Sequence, residues 1–290
     1  MRVCRGWLAG TVLVGVAFSN VVGAAGVDLG LLEPSELRET AADRVILDAR
    51  PRRQWQAGHL PGAHSFSWQE HTGTDAAGVP HRVHPPARLA VDLGRLGIDE
   101  ATAVAVYGDA DTSWGGEGWV CWVLTWLGHR GPVRLLAGGV QSWQVSGLPL
   151  SREASAPGPV ARYRVQLRPE VLHTVEQVEG RGRGEDAGST LVDTRSTWEW
   201  LSGHLPGAIH LPWKSLYAGP ERRPLAPVAY QTLLAERGLD PDGFPVFYCT
   251  GGVRSAYGWT VHYLATGGPA ANFEGGMEAW RRRSGGKEGR

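Results

Sequence analysis

The chain alternates short apolar runs with stretches of helical period, and it does so twice. Phe244 to Tyr248 is an apolar run of strand length, followed by Cys249, a glycine-bearing loop and a helical pattern from Ser255 to Leu264. Earlier in the chain, Ala103 to Tyr107 is the matching strand and Gly118 to Leu124 the matching helix, the counterpart of Gly258 to Leu264. Leu89 to Gly97 and Leu233 to Gly238 are helical patterns that stop near glycine, as helices favour. Leu135 to Trp143, with Gly138-Gly139, matches Phe273 to Trp280, with Gly275-Gly276.

Upstream of these, Leu47-Asp48-Ala49-Arg50 precedes Trp55 and then Gly58-His59-Leu60-Pro61-Gly62-Ala63. The same order returns as Val192-Asp193-Thr194-Arg195, Trp198 and Gly203-His204-Leu205-Pro206-Gly207-Ala208. The chain is therefore one unit written twice. Each unit predicts βα elements around a mainly parallel sheet flanked by helices on both faces, an α/β fold in duplicate. The first domain spans 27–150 and the second 161–290. Residues 151–160 form the linker, because Ser151 to Pro159 is rich in Ser, Ala, Pro and Gly. Gly180 to Ser189 is charged and glycine-rich and reads as a surface loop. The tail from Arg281 is basic and polar and is expected to fray.

A length of 290 residues suits two domains of ordinary size. A formal net charge of zero gives no general attraction to nucleic acid or to a membrane surface. The first residues look like an export signal over 1–25. Arg2 and Arg5 precede an apolar stretch from Gly6 to Phe18, and Val22-Gly23-Ala24 offers small residues for cleavage. That stretch is short against the roughly 20 residues of a transmembrane helix. The expectation is an exported, periplasmic protein with no stable membrane association after cleavage, the alternative being an uncleaved anchor.

Three cysteines are present. Cys4 lies in the signal, and Cys121 lies in an apolar helical stretch where a buried, inert thiol is expected. Neither a CxxC pair nor a zinc-type spacing occurs, and no metal or organic cofactor is implied. Cys249 differs. It ends a strand just before a helix start, where unpaired N–H groups and the helix dipole favour negative charge. Both stabilise a thiolate, and Arg254 adds a positive charge. Cys249 is thus the candidate nucleophile.

Gly251 and Gly252 let the backbone fold tightly around its sulfur. Thr250 and Ser255 offer hydroxyls to the sulfur, and Ser255 alternatively caps the helix. Arg254 either stabilises an anion at the site or braces the loop through a carboxylate. In open parallel sheets, ligands bind beyond the carboxyl ends of the strands, where Asp193, Arg195 and Cys249 would converge. Asp193 and His204 recur as Asp48 and His59 in the copy that lacks the cysteine, so these four are assigned to the fold.

The Asp-x-Arg element, the Gly-His-Leu-Pro-Gly-Ala element, the Cys249-x-x-Gly-x-Arg254 loop and the closing Gly-Gly-x-x-x-Trp resemble the tandem rhodanese family of sulfurtransferases. The resemblance implies two small α/β domains, the second carrying the active cysteine and the first inactive. It also implies a two-step reaction: Cys249 takes the outer sulfur of a donor as a persulfide, then passes it to cyanide or a thiol. The N–H groups of Thr250, Gly251, Gly252 and Val253 would hold the persulfide, and Arg195 stands where the family binds the donor anion.

Domain 1 has Tyr107-Gly108 where domain 2 has Tyr248-Cys249, and its loop from Asp109 to Gly116 is acidic and lacks a thiol. It is expected to be structural and to form part of the cleft wall, with Trp68 and Trp114 either lining that cleft or, as the favoured reading, in core or interface packing. The single loop cation and the exported location favour thiosulfate as donor, with mercaptopyruvate as the alternative. The partners are then a small sulfur donor and an acceptor, which includes a protein thiol. A cysteine phosphatase would have five residues between Cys and Arg and a histidine before the cysteine; here there are four, after Tyr248. A non-catalytic persulfide carrier or redox-sensing module would use Cys249 without turnover.

Overall fold

The computed structural model describes residues 26–181 and 188–284. The proposed signal at 1–25, most of the charged stretch after Gly180 and the last six residues lie outside these. Each half of the chain forms a five-stranded sheet in which every pairing is parallel. In the first, β1 (Leu29–Leu32), β2 (Val45–Asp48), β3 (His64–Ser65), β4 (Val104–Tyr107) and β5 (Val133–Leu136) lie in the order β1-β5-β4-β2-β3.

In the second, β6 (Leu172–His173), β7 (Ser189–Asp193), β8 (Ile209–His210), β9 (Phe244–Tyr248) and β10 (Ala271–Phe273) lie in the order β6-β10-β9-β7-β8. The two orders are the same topology, so the sequence repeat is a structural repeat. β4 is buried at every residue and β9 at all but Phe244, which explains their near-continuous apolar character. Asp193 pairs with Tyr248 and Asp48 with Tyr107, so the Asp-x-Arg turns and the strand ends before Cys249 and Gly108 emerge side by side.

The domains meet along two equivalent helices, Gly116–Trp126 and Val253–Thr266. Every residue of the first is buried. Contact is close enough that a Cβ on Gly118 would lie 2.5 Å from the Tyr257 Cα. Thr260 Oγ1 donates to the Gly118 carbonyl at 2.9 Å. One apolar cluster runs through Trp119, Trp122, Tyr257 and Trp259 without a break at the boundary. Cys121 sits within it as a free thiol whose burial pushes its pKa well up, in line with an inert core residue.

Residues 151–168 do not hang between the domains. Ser151 and His59 exchange backbone hydrogen bonds of 2.9 and 2.7 Å. Ala161 N donates to Gly94 O and Gln166 N to Leu127 O. This segment is a strap along domain 1, and the first secondary structure of the second half is the turn Pro169–Val171. The last helix continues past Trp280 to Ser284, against the expectation of fraying from Arg281. Arg283 holds it there by ion pairs to Glu176 and Glu179 at 2.5 and 3.0 Å. Among the described residues, no helix is long and apolar enough to cross a membrane.

Candidate active site

Cys249 follows β9 and lies at the foot of the helix Val253–Thr266. The turn between them needs Gly252, whose φ of 99° is strained for any residue with a side chain. It also needs Gly276, where a Cβ would stand 2.2 Å from the Cys249 carbonyl oxygen. That carbonyl accepts from Met277 N at 2.9 Å, so the last helix locks the loop from behind.

The Cys249 sulfur is nearly enclosed, with 2% of the residue exposed. It accepts the Gly252 N–H at 3.1 Å and lies 3.6 Å from Ser255 Oγ. Ser255 is inside the first helical turn, and Gly252 is the cap, so the hydroxyl is not spent on capping. Its one proton has two acceptors, the sulfur and Asn272 Oδ1 at 2.6 Å. Burial pushes the thiol up, but the Arg254 guanidinium, the Ser255 hydroxyl and the N–H groups of Ser255 and Gly252 outweigh it. The net result is a pKa below that of an ordinary thiol, as a nucleophilic thiolate requires.

Arg254 is engaged by a carboxylate that the sequence pattern does not single out. Its two terminal nitrogens reach Glu199 Oε2 and Oε1 at 2.7 Å each. Thr250 Oγ1 joins the pair: it donates to Glu199 Oε1 at 2.9 Å and accepts from Arg254 at 2.7 Å. The expected Thr250 contact with sulfur is therefore replaced by a role in this ion pair. Glu199 also closes a capping box with Ser196 at the start of its helix, Thr197–Leu201. Burial raises its carboxyl, but Arg254 and Ser196 hold it well below the usual carboxylate range.

Arg195 does not reach the site. It is 2% exposed, grips both oxygens of Asp193 and donates to the Gly203 carbonyl at 2.7 Å. Arg50 does the same with Asp48 and Gly58 in domain 1. The assignment of Arg195 to the donor anion is corrected: it fastens the Gly-His-Leu-Pro-Gly turn to the strand end. His59 and His204 stack on Trp55 and Trp200, at 4.4 and 3.6 Å between centroids. The counterpart of Trp55 is thus Trp200 and not Trp198, which is exposed.

Above Cys249 opens a pocket of about 420 Å³, lined by Glu199, Thr250, Gly251, Val253 and Arg254 from domain 2, and by Trp68, His81 and Trp114 from domain 1. Both tryptophans line the cleft and pack as well, Trp68 against the core and Trp114 across the domain boundary. Trp114 lies over the Arg254 guanidinium at 5.4 Å. His81 packs so closely on Gly251 that a Cβ there would be 2.7 Å away. A larger pocket of about 780 Å³, bordered by Glu33, Arg44, Arg134, Arg223 and Tyr263, contains no nucleophile. Its Arg223 and Arg134 are already paired with Glu33 and Asp28.

The equivalent place in domain 1 is filled. A Cβ on Gly108 would stand 2.2 Å from Glu117 Oε2. Glu117 takes a hydrogen bond from Ser113 Oγ at 2.7 Å, and burial pushes its carboxyl up to about 7. Of the two acidic residues in that loop, Asp111 faces domain 2, where it takes Tyr217 Oη at 2.6 Å and Arg222 Nε at 2.5 Å.

Comparison with known proteins agrees with this architecture. The chain is 28% identical over 275 residues to the sulfur carrier protein TtuD of Thermus thermophilus, covering 86% of this chain and 89% of that one. It is 27% identical to human 3-mercaptopyruvate sulfurtransferase (87% and 86% covered) and 28% identical to rat thiosulfate sulfurtransferase (80% and 80%). Among solved structures, the Escherichia coli 3-mercaptopyruvate sulfotransferase SseA aligns with a TM-score of 0.73 at 22% identity, over 83% of this chain and 97% of that one. An anaerobic ergothioneine biosynthesis enzyme from Chlorobium limicola aligns with a TM-score of 0.77 at 20% identity, over 89% and 69%. These two share the fold. The rhodanese-like domain model matches residues 33–146 and again 175–283, so this chain belongs to the rhodanese family as two such domains in tandem.

Proposed function

We propose that this protein is a sulfurtransferase that carries sulfane sulfur on Cys249. The supporting observation is the sulfur itself: an enclosed thiol with lowered pKa, held by the Gly252 N–H and beside Ser255, at the floor of an open pocket. In the first step the Cys249 thiolate attacks the outer sulfur of the donor. With thiosulfate, the S–S bond breaks, its electron pair leaves with sulfite, and Cys249 holds a persulfide. In the second step an acceptor thiolate or cyanide attacks the outer persulfide sulfur, and the electron pair returns to Cys249. The Gly252 N–H supports the anionic sulfur in both steps.

Thiosulfate is the proposed donor, with mercaptopyruvate as the second reading. The pocket favours the second reading more than the sequence did, because the Arg254 charge is shared with Glu199 and two tryptophans line the wall. A persulfide carrier that acts without turnover is the competing class, and a relative named as a sulfur carrier gives it weight. Export through residues 1–25 to a periplasmic location belongs to the same proposal.

Intact mass spectrometry after each donor, followed by turnover with cyanide, tests these readings together. A gain of one sulfur atom, lost in Cys249→Ser, is expected. No gain with either donor overturns the proposal. Gain without steady-state turnover turns it into a carrier. The same spectrum shows whether 1–25 has been removed.

A further inference from the structure

Among the described residues, three non-glycine residues have positive φ: His81 at 60°, Trp114 at 58° and Arg222 at 55°. This region is unfavourable for bulky side chains and persists only where the surroundings enforce it. All three bear on the same wall. His81 and Trp114 are domain 1 residues that line the Cys249 pocket. Arg222 belongs to domain 2 and grips Asp111, in the loop that carries Trp114.

Two cross-domain anchors hold the wall in place. Next to His81, Arg82 pairs with the buried Glu274 at 2.7 Å, and Val83 N donates to the same carboxylate at 2.8 Å. Near Trp114, Asp111 is held by Arg222 and by Tyr217 Oη. Trp68 ties the two parts together: its Nε1 donates to Ser113 O at 3.0 Å, and its ring meets His81 edge-on at 5.7 Å.

This wall has a chemical character. Opposite the sulfur it presents two indoles and an imidazole. The nearby ionic pair is closed on itself, with the Glu199 carboxylate on the guanidinium and the Trp114 face over it. A pocket of about 420 Å³ is far larger than cyanide or a single sulfur atom needs. A small inorganic ion gains little from such a surface, whereas a planar or apolar organic body gains burial and ring contact.

We propose that His81, Trp114 and Trp68 form the specificity-determining wall for the sulfur acceptor, and that it selects a thiol with an apolar or aromatic body. The inference rests on the persulfide reading above. In the step it governs, the acceptor thiolate attacks the outer sulfur, the S–S bond to Cys249 breaks, the electron pair returns to Cys249, and the acceptor leaves as a hydropersulfide. Arg222 and Glu274 are positioning residues that act through Trp114 and His81.

The test uses the full protein loaded with sulfur on Cys249 and checked by intact mass. Single-turnover discharge is timed with benzyl mercaptan and with mercaptoethanol, two thiols of similar reactivity and different body. The unaltered protein should prefer benzyl mercaptan by about tenfold, the scale on which hydrophobic pockets discriminate. Trp114→Ala, at a residue 51% exposed, should fold and bring the ratio towards one, while Trp114→Phe should keep most of it. Arg222→Ala should lower the ratio in the same direction. No preference in the unaltered protein, or a ratio unchanged in both Trp114→Ala and Arg222→Ala, overturns the inference while leaving the persulfide intact. Failure to load from thiosulfate or mercaptopyruvate overturns the persulfide reading and this inference with it.

Discussion

Glu199 and Arg254 meet in the wall of the Cys249 pocket in a two-pronged ion pair, 2.7 Å at each contact. The pair sets the electrostatics of the site. Arg254 lowers the thiol pKa and Glu199 moderates the guanidinium that does so. Replacing Glu199 by Gln should therefore lower the Cys249 pKa further and, if the proposed donor thiosulfate is used, reduce its KM, since the cation is no longer offset. Stability should fall by about 1–3 kcal/mol, because Arg254 is left buried with a weaker partner. The sign with pH follows from the depressed carboxyl of Glu199. Its contribution is complete above the ordinary Glu value of 4.5 and is lost as pH falls through its folded pKa. Melting curves should show the gap between the two proteins narrowing in acid.

Arg254→Met removes the strongest opposition to burial at the thiol. The midpoint of Cys249 alkylation should move to higher pH, and sulfur loading at neutral pH should fall by about tenfold or more, one pKa unit being a tenfold change in thiolate. The loss should recover as pH rises through the new midpoint. A defect that persists at high pH would assign Arg254 to binding rather than to charge.

Much of this was legible in the chain. The repeat predicts a mainly parallel sheet in each half, and the glycine at position 108 in place of cysteine points to one loop. For Arg195 the repeat itself holds the correction: Arg50 occupies the same position in the copy that has Gly108 in place of the loop cysteine, so its role is one that both copies share. Glu199 was missed for a related reason. It stands before Gly203 where Gln54 stands before Gly58, and such a change between copies marks a difference in site. Ser196 and Glu199 could be read as a capping box, but a helix cap does not announce that its carboxylate also meets Arg254. The wall of His81, Trp68 and Trp114 is a contact between domains, and local pattern carries no signal for it.

The buried Asp193–Arg195 pair offers a test of that correction. Arg195→Met should destabilise the protein by about 3–5 kcal/mol, because Asp193 is left charged and enclosed. Asp193→Asn with Arg195→Met should recover part of this, as a double-mutant cycle detects. The KM for donor in folded protein should stay near that of the unaltered chain. A large rise in KM without loss of stability would return Arg195 to the site.

Glu117 supplies a pH effect from the domain whose loop lacks the nucleophilic cysteine. Its carboxyl stands where a side chain on Gly108 would go, so Gly108→Cys should clash with it and not create a second loading site. Burial raises this acid from 4.5 to about 7. The folded protein then holds a proton that the unfolded chain releases, and stability falls as pH rises from 4.5 to about 7 before levelling off. Glu117→Gln removes that titration. The stability difference between variant and unaltered protein should grow in favour of the variant by about 3 kcal/mol between about pH 4 and about pH 8, since each tenfold change in the acid's ionisation constant on folding is worth about 1.4 kcal/mol. Glu274, also pushed up to about 7 by burial, is present in both proteins and cancels in the difference. Denaturant titrations at the two pH values measure this directly, and a constant difference would mean that Glu117 titrates in the folded protein as it does in the unfolded chain.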